Sequence, residues 1–331
     1  MAQEQFLFFC VNVGSEKLLK EEIKTFYPEL SLSYSRKGFI TYKNKGVHYK
    51  ISTISQLQVA FATRVGICFG KSAPSSLHEG LDIALKQYSV SKDDCLLHSF
   101  SINTDAEFDA SKYFDRAVNE YSSMGKNVID LICLGEKEVW IGLHTVGKGT
   151  TRYPNSQVEV DSPLHVPSVG YKKLSETFKL FAIKTNNYQS WLDFGCAPGG
   201  SSMFLLEQGC KVWGIDPADV DEALLENRLF NHIKTPMQDL SHETLPDEQI
   251  HWIHADLNLN PKQGIKEVLR LAKKYNSTLS GIIFTVQVVN PRTIQEIENF
   301  EDQFYDWGFS NIQSVQVPSH KKEYGLIAKR K

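Results

Sequence analysis

The stretch SWLDFGCAPGGSSMFLL, residues 190–206, decides the fold. Trp191, Leu192, Asp193 and Phe194 read as a buried strand that stops at Gly195. Three glycines and a proline then fall within six residues, 195–200. Met203, Phe204, Leu205 and Leu206 give the following segment the apolar face of a helix. A glycine turn between a strand and a helix lets a ligand approach bare backbone beside the amides of a helix N-terminus.

Outward from that turn, strands and helices alternate through KVWGIDP (211–217), HWIHAD (251–256), SGIIFTVQ (280–287), FSNIQSVQV (309–317) and EYGLIAKR (323–330). This pattern predicts a doubly wound α/β sheet. Only Pro318 to Lys322 separate the last two strands. That is too short for a parallel crossover, so an antiparallel edge hairpin is expected.

Toward the N-terminus the elements read as α+β. FLFFCVNV is a strand, SEKLLKEEIKTFY a helix, KGFITYKN part of a hairpin, and ASKYFDRAVNEYSSMG a further helix. NVIDLICLGEKEVWIGLHTVG is a pair of strands around a Gly-Glu turn. The stretch 147–168, rich in Gly, Pro, Ser and Thr, reads as a linker. The expected units are 1–70, 71–155 and 156–331.

Composition is that of a folded protein, with 41% hydrophobic and 23% charged residues. No apolar run approaches the roughly 20 residues of a membrane span. MAQEQFLFFCVNVG lacks a basic leader followed by a cleavage site, so a cytoplasmic location is expected. Cys10, Cys68, Cys95, Cys133, Cys196 and Cys210 form no C-x-x-C pair, so they read as buried thiols and no metal is expected. The net charge of −3 does not announce a nucleic-acid binder. Residues 31–50 nevertheless carry five Lys or Arg and no acid, with Tyr34, Phe39, Tyr42 and Tyr49 among them. Basic residues mixed with aromatics suit phosphate contact and base stacking; the plainer reading is a solvated hairpin.

The turn selects the nucleotide. G-x-G-x-x-G and G-x-x-x-x-G-K-[ST] are both absent, which excludes the usual dinucleotide and P-loop sites. Asp216 ends the second strand and can accept from ribose hydroxyls. Asp239, in MQDL, is placed at the end of a third strand region on the adenine side. Each acid alone is also an ordinary turn residue. In order after Asp193-x-Gly195 they point to S-adenosylmethionine, with Gly195, Cys196, Ala197, Pro198, Gly199 and Gly200 at its methionine end.

Three separated motifs carry a resemblance. DFGCAPGG (193–200), PSVGYKKLSETF (167–178) and SHKKEYGLIAKRK (319–331) resemble motifs of the FtsJ/RrmJ-type ribose 2'-O-methyltransferases, over about residues 160–331. The layout of the whole chain is similar to RlmM-type enzymes, which act on large-subunit ribosomal RNA. The resemblance implies a Rossmann-like class I methyltransferase domain preceded by ferredoxin-like and THUMP-like RNA-binding units. It implies a Lys-Asp-Lys-Glu tetrad, matched by Lys173, Asp256 and Glu323, with Gln287 where the second lysine belongs. It also places Gly170 near the cofactor and Asp256 at both sites. Ser201 and Val169 depart from the family pattern, which has an aromatic residue and an arginine there.

In the family the second lysine is the base that removes the hydroxyl proton; an amide cannot take that role. Lys173 is the in-family substitute. Two other readings stay open: an RNA-binding homologue that no longer transfers methyl groups, and a small-molecule methyltransferase. The 150 residues ahead of the catalytic domain oppose the latter. The sequence leaves the oligomeric state open.

Overall fold

The computed structural model describes residues 4–330 apart from 55, 113, 116 and 148. The chain divides into two compact units, 1–158 and 159–331, with the boundary inside the predicted linker.

In the first unit one sheet joins β1 (Gln5–Cys10), β2 (Leu30–Arg36), β3 (Phe39–Asn44), β4 (Arg64–Ser72), β5 (Cys95–Ser101), β6 (Asn127–Gly135) and β7 (Glu138–Thr145) in the order β2-β3-β1-β4-β7-β6-β5. Only β5 and β6 run parallel among these neighbours. The two units expected at 1–70 and 71–155 therefore share one sheet, because β4 pairs with β1 on one side and β7 on the other. The helices α1 (Glu16–Phe26), α2 (Ile51–Ile54) and α3 (Leu77–Gln87) connect its strands.

The helix expected over 110–125 is absent among the described residues, and positions 113 and 116 of that segment lie outside them. Asn119 adopts a left-handed φ of 66° and caps the edge strand β5. Its amide accepts from Ser99 N at 2.7 Å and donates to Ser99 O at 2.9 Å. A side chain that completes a strand's hydrogen bonds competes with helix formation. The basic stretch is the β2–β3 hairpin. Phe39 and Tyr42 are buried and Tyr34 packs on Trp140 with ring centres 4.9 Å apart, so these aromatics serve packing.

A buried polar cluster ties this unit together. Arg64 and His144 both bond Asp130, at 2.5 Å each, and His98 lies 3.2 Å from Arg64. Arg64 also donates to Thr151 O at 3.2 Å, which anchors the segment leading to the linker. Burial, then the Arg64 charge, pushes the His98 pKa down to about 3, and burial lowers that of His144. Both imidazoles are thus neutral when folded, whereas the unfolded chain takes up protons near pH 6.5. Their contribution to stability is complete above that pH and is lost as pH falls toward 3. Chemical denaturation is expected to lose roughly 2 kcal/mol between pH 7.5 and about 5 from His98 alone. An unchanged unfolding free energy at the two pH values would contradict this.

The second unit contains β8 (Ser190–Phe194), β9 (Lys211–Ile215), β10 (Phe230–Ile233), β11 (Trp252–Asp256), β12 (Gly281–Gln287), β13 (Asn311–Val315) and β14 (Glu323–Lys329). Their order is β10-β9-β8-β11-β12-β14-β13. The first five are parallel neighbours, and β14 is antiparallel to both β12 and β13, as the short connection requires. The helices are α4 (Gly170–Phe181), α5 (Gly200–Glu207), α6 (Glu222–Leu225), α7 (Pro261–Ala272), α8 (Pro291–Gln295) and α9 (Ile297–Asp306). β8 is buried along its whole length, as a parallel strand covered on both faces must be. Trp191 and Trp252 are paired in register and stack at 5.2 Å. Trp213, on β9, is by contrast half-buried, with Lys211 over its ring and its N–H on Glu248.

β8 is flanked by β9 on one side and β11 on the other, so the chain reverses its winding direction there. In open parallel sheets the crevice at such a switch point, beyond the carboxyl ends of the strands, is where ligands bind. Among the described residues, no helix is long and apolar enough to cross a membrane. Among the same residues, no group of three or more His, Cys, Asp or Glu is placed to hold a metal ion.

Candidate functional site

The glycine turn leaves β8 at that switch point. Gly195 has φ +75°, and a Cβ there would meet the Asp256 carbonyl oxygen at 2.2 Å. Gly199 has φ +122°, and its Cβ position is taken by Leu224 Cδ1 at 2.1 Å. Gly200 and Gly170 let α5 and α4 touch: Cβ atoms there would lie 2.3 Å from Ser168 Oγ and 3.3 Å from Ser201 N. Bare backbone is thus demanded at 195, 199 and 200, and favoured at 170, by contacts within the protein itself, whatever lies above the turn.

Further contacts hold the turn. Asp216, at the end of β9, accepts from Ala197 N at 3.3 Å and from Ala218 N at 2.8 Å. Pro198 O accepts from Asp221 N at 2.9 Å. The Cys196 side chain is buried against β9, with Sγ 2.8 Å from a Gly214 Cβ position, and burial pushes its thiol pKa far up. It can offer a ligand only its main chain. Asp193 is fully buried and accepts from Ser201 Oγ at 2.8 Å, Ser202 Oγ at 2.6 Å and His254 Nδ1 at 2.7 Å. Ser201, where the family carries an aromatic residue, therefore anchors α5 to β8. Asp239 is not on a strand end. β10 stops at Ile233, and Asp239 is exposed in the single 3-10 turn Met237–Asp239.

The four predicted polar residues come together. Lys173 Nζ lies 3.1 Å from Asp256 Oδ2 and 2.7 Å from Glu323 Oε1. Gln287 Nε2 donates to Glu323 Oε2 at 2.7 Å and to Asp256 Oδ1 at 3.3 Å. The result is a closed ring in which two donors alternate with two carboxylates. Strand register builds half of it, since Gln287 and Glu323 are cross-strand partners at the ends of β12 and β14. Burial works against charge on Lys173, but Asp256 and Glu323 outweigh it and raise its pKa. Two carboxylate partners thus favour the charged form of Lys173 and work against the role of substitute base expected from sequence.

Two supporting residues were missed. Glu176, one turn after Lys173 on α4, is buried and accepts from Ser319 N and Oγ, both at 2.8 Å. It ties the helix that carries Lys173 to the loop preceding Glu323. The spacing from Lys173 was its signal, because residues i and i+3 share a helix face. His320 is buried in that loop. Its pKa is pushed down to about 3, by burial first and then by the charge of Lys173. A neutral, packed histidine has no signature in a single sequence.

No protein-family model matches the chain. The ribosomal RNA large subunit methyltransferase M of Methylococcus capsulatus is 23% identical over 188 residues, covering 54% of this chain and 52% of that protein. An uncharacterised protein of Methanocaldococcus jannaschii is 29% identical over 125 residues, covering 38% of this chain and 35% of its own length. The crystal structure of TrmN from Thermus thermophilus overlays 99% of this chain and 100% of its own at 12% identity, with a TM-score of 0.36, too loose a match to bear on the site. The matched regions span about half or less of the two relatives matched by sequence. Over about half of its length the chain is thus similar to ribosomal RNA large subunit methyltransferase M proteins, the type that its layout resembles.

Proposed function

We propose that the chain is an S-adenosylmethionine-dependent methyltransferase of RNA ribose 2'-hydroxyls, acting on large-subunit ribosomal RNA. The observation that supports this best is the ring of Lys173, Asp256, Gln287 and Glu323 at the carboxyl ends of the parallel strands, beside the glycine turn. The main chain of residues 195–200 would hold the methionine end of the cofactor. Asp216, already oriented by two backbone amides, has lone pairs left for the ribose hydroxyls. Asp239 would serve the adenine end and Asp256 the side nearest the reaction. When bound, S-adenosylmethionine supplies a methyl group on a sulfonium centre. The chain's own part is to hold the acceptor oxygen in line, to exclude water and to move one proton. Residues 1–158, read as ferredoxin-like and THUMP-like parts, would dock the RNA.

Gln287 motivates the second reading, an RNA-binding homologue without transfer. Two measurements separate them. Calorimetry should detect S-adenosylmethionine, and labelled methyl should enter unmodified large-subunit ribosomal RNA at 2'-oxygens. Binding without any transfer favours the second reading. No binding at about millimolar cofactor, a limit of only ~4 kcal/mol, removes the enzyme reading.

A further inference from the structure

Which group takes the hydroxyl proton when an amide replaces the second lysine? Gln287 cannot. Lys173 is held between two carboxylates at 3.1 and 2.7 Å and is already protonated. His320 is buried, and its Nδ1 accepts from Val317 N at 3.3 Å. His254 is buried, with Nδ1 held by Asp193 Oδ1 at 2.7 Å. Two carboxylates then remain, and they differ. The Glu323 side chain is 9% exposed, and each of its oxygens has a partner at 2.7 Å. The Asp256 side chain is 22% exposed, and its partners are longer, at 3.1 Å on Oδ2 and 3.3 Å on Oδ1. Asp256 is thus the more exposed and less tightly held carboxylate, and its Oδ1, with the longer partner, keeps a lone pair.

We infer that Asp256, through Oδ1, takes the proton of the acceptor hydroxyl in this chain; the inference rests on the methyltransferase reading above. A carboxylate is too weak to make an alkoxide in advance. It has no need to. As the oxygen–carbon bond forms and the sulfur–carbon pair returns to sulfur, positive charge builds on the acceptor oxygen and its proton becomes strongly acidic. Oδ1 holds that proton and later releases it to water. The groups facing Asp256 suit the step: cationic Lys173 from α4, Glu323 from β14, neutral His320 from the adjoining loop and His254 on its own strand. Lys173, Asp256 and Glu323 sum to a formal charge of −1, whereas a lysine at 287 would bring the ring to zero. A negative ring stabilises the cationic oxygen and favours the sulfonium cofactor over its neutral thioether product.

The test uses the full chain, calorimetry with S-adenosylmethionine and S-adenosylhomocysteine, and single-turnover methyl transfer to an unmodified large-subunit ribosomal RNA transcript. Transfer to a carboxylate base is expected to be flat with pH from about 6.5 to about 9. At saturating cofactor, Asp256→Asn should lower it by at least about 10²-fold, and Glu323→Gln by less than about tenfold. Gln287→Lys should add a limb rising with pH, and should shrink the preference for S-adenosylmethionine over S-adenosylhomocysteine by about threefold or more. Wild-type transfer that climbs about tenfold per pH unit above pH 6.5 would overturn the inference. So would an effect of Glu323→Gln equal to that of Asp256→Asn, or cofactor binding with no transfer. Failure of S-adenosylmethionine to bind would instead bring down the methyltransferase reading itself. Should Asp256→Asn fail to fold, the wild-type profile and the affinity ratio in Gln287→Lys decide.

Discussion

Gly195→Ala is expected to remove methyl transfer and weaken S-adenosylmethionine binding by more than about tenfold, with a stability loss of roughly 2 kcal/mol or more. Two independent costs combine. The φ of +75° is one that L side chains adopt only with strain. The new methyl group would also sit 2.2 Å from the Asp256 carbonyl oxygen, which is main chain and cannot swing aside. Relief requires either β8 or the end of β11 to move, and the end of β11 carries Asp256 into the ring. Gly308→Ala is the control. Its φ is +109°, yet nothing lies within 4 Å of its Cβ position, so it should show strain of about 1 kcal/mol and an intact site. Calorimetry and thermal unfolding of the two variants check this directly. Equal cofactor binding by Gly195→Ala and the wild type would mean that the turn does not contribute to the site.

Lys173→Met should have the second largest effect, a fall in transfer of about 10²-fold or more at neutral pH. Lys173 is the ring's one cation, bridging two carboxylates that otherwise face each other through Gln287. Without it, mutual repulsion and burial raise the pKa of one carboxylate, so a proton is retained where a base is needed. The sign is definite. Raising the pH should recover part of the lost transfer as that carboxylate ionises, and the acid limb of the profile should move upward. Were Lys173 itself the base, the loss would persist at every pH. A pH series on the variant separates these outcomes.

Much of the second unit was legible in the sequence because its signals are local. A continuous apolar run, a glycine turn and a short apolar segment mark β8 and α5 without reference to distant residues. The five-residue connection between the last strands was enough to require an antiparallel pair. Lys173, Asp256, Gln287 and Glu323 were each implied by the family resemblance. Their protonation was not. That Lys173 favours its charged form depends on two carboxylates from β11 and β14 converging on one helix, a distance no single sequence encodes. The same limit explains the misread helix over 110–125, where Asn119 finds hydrogen-bonding partners at residue 99 that outcompete local propensity. It also explains the glycine turn. Sequence alone determined that backbone without side chains was needed there; only the tertiary structure decided why, because the space a Cβ would occupy is already filled by Asp256, Leu224 and Ser168 arriving from elsewhere in the chain.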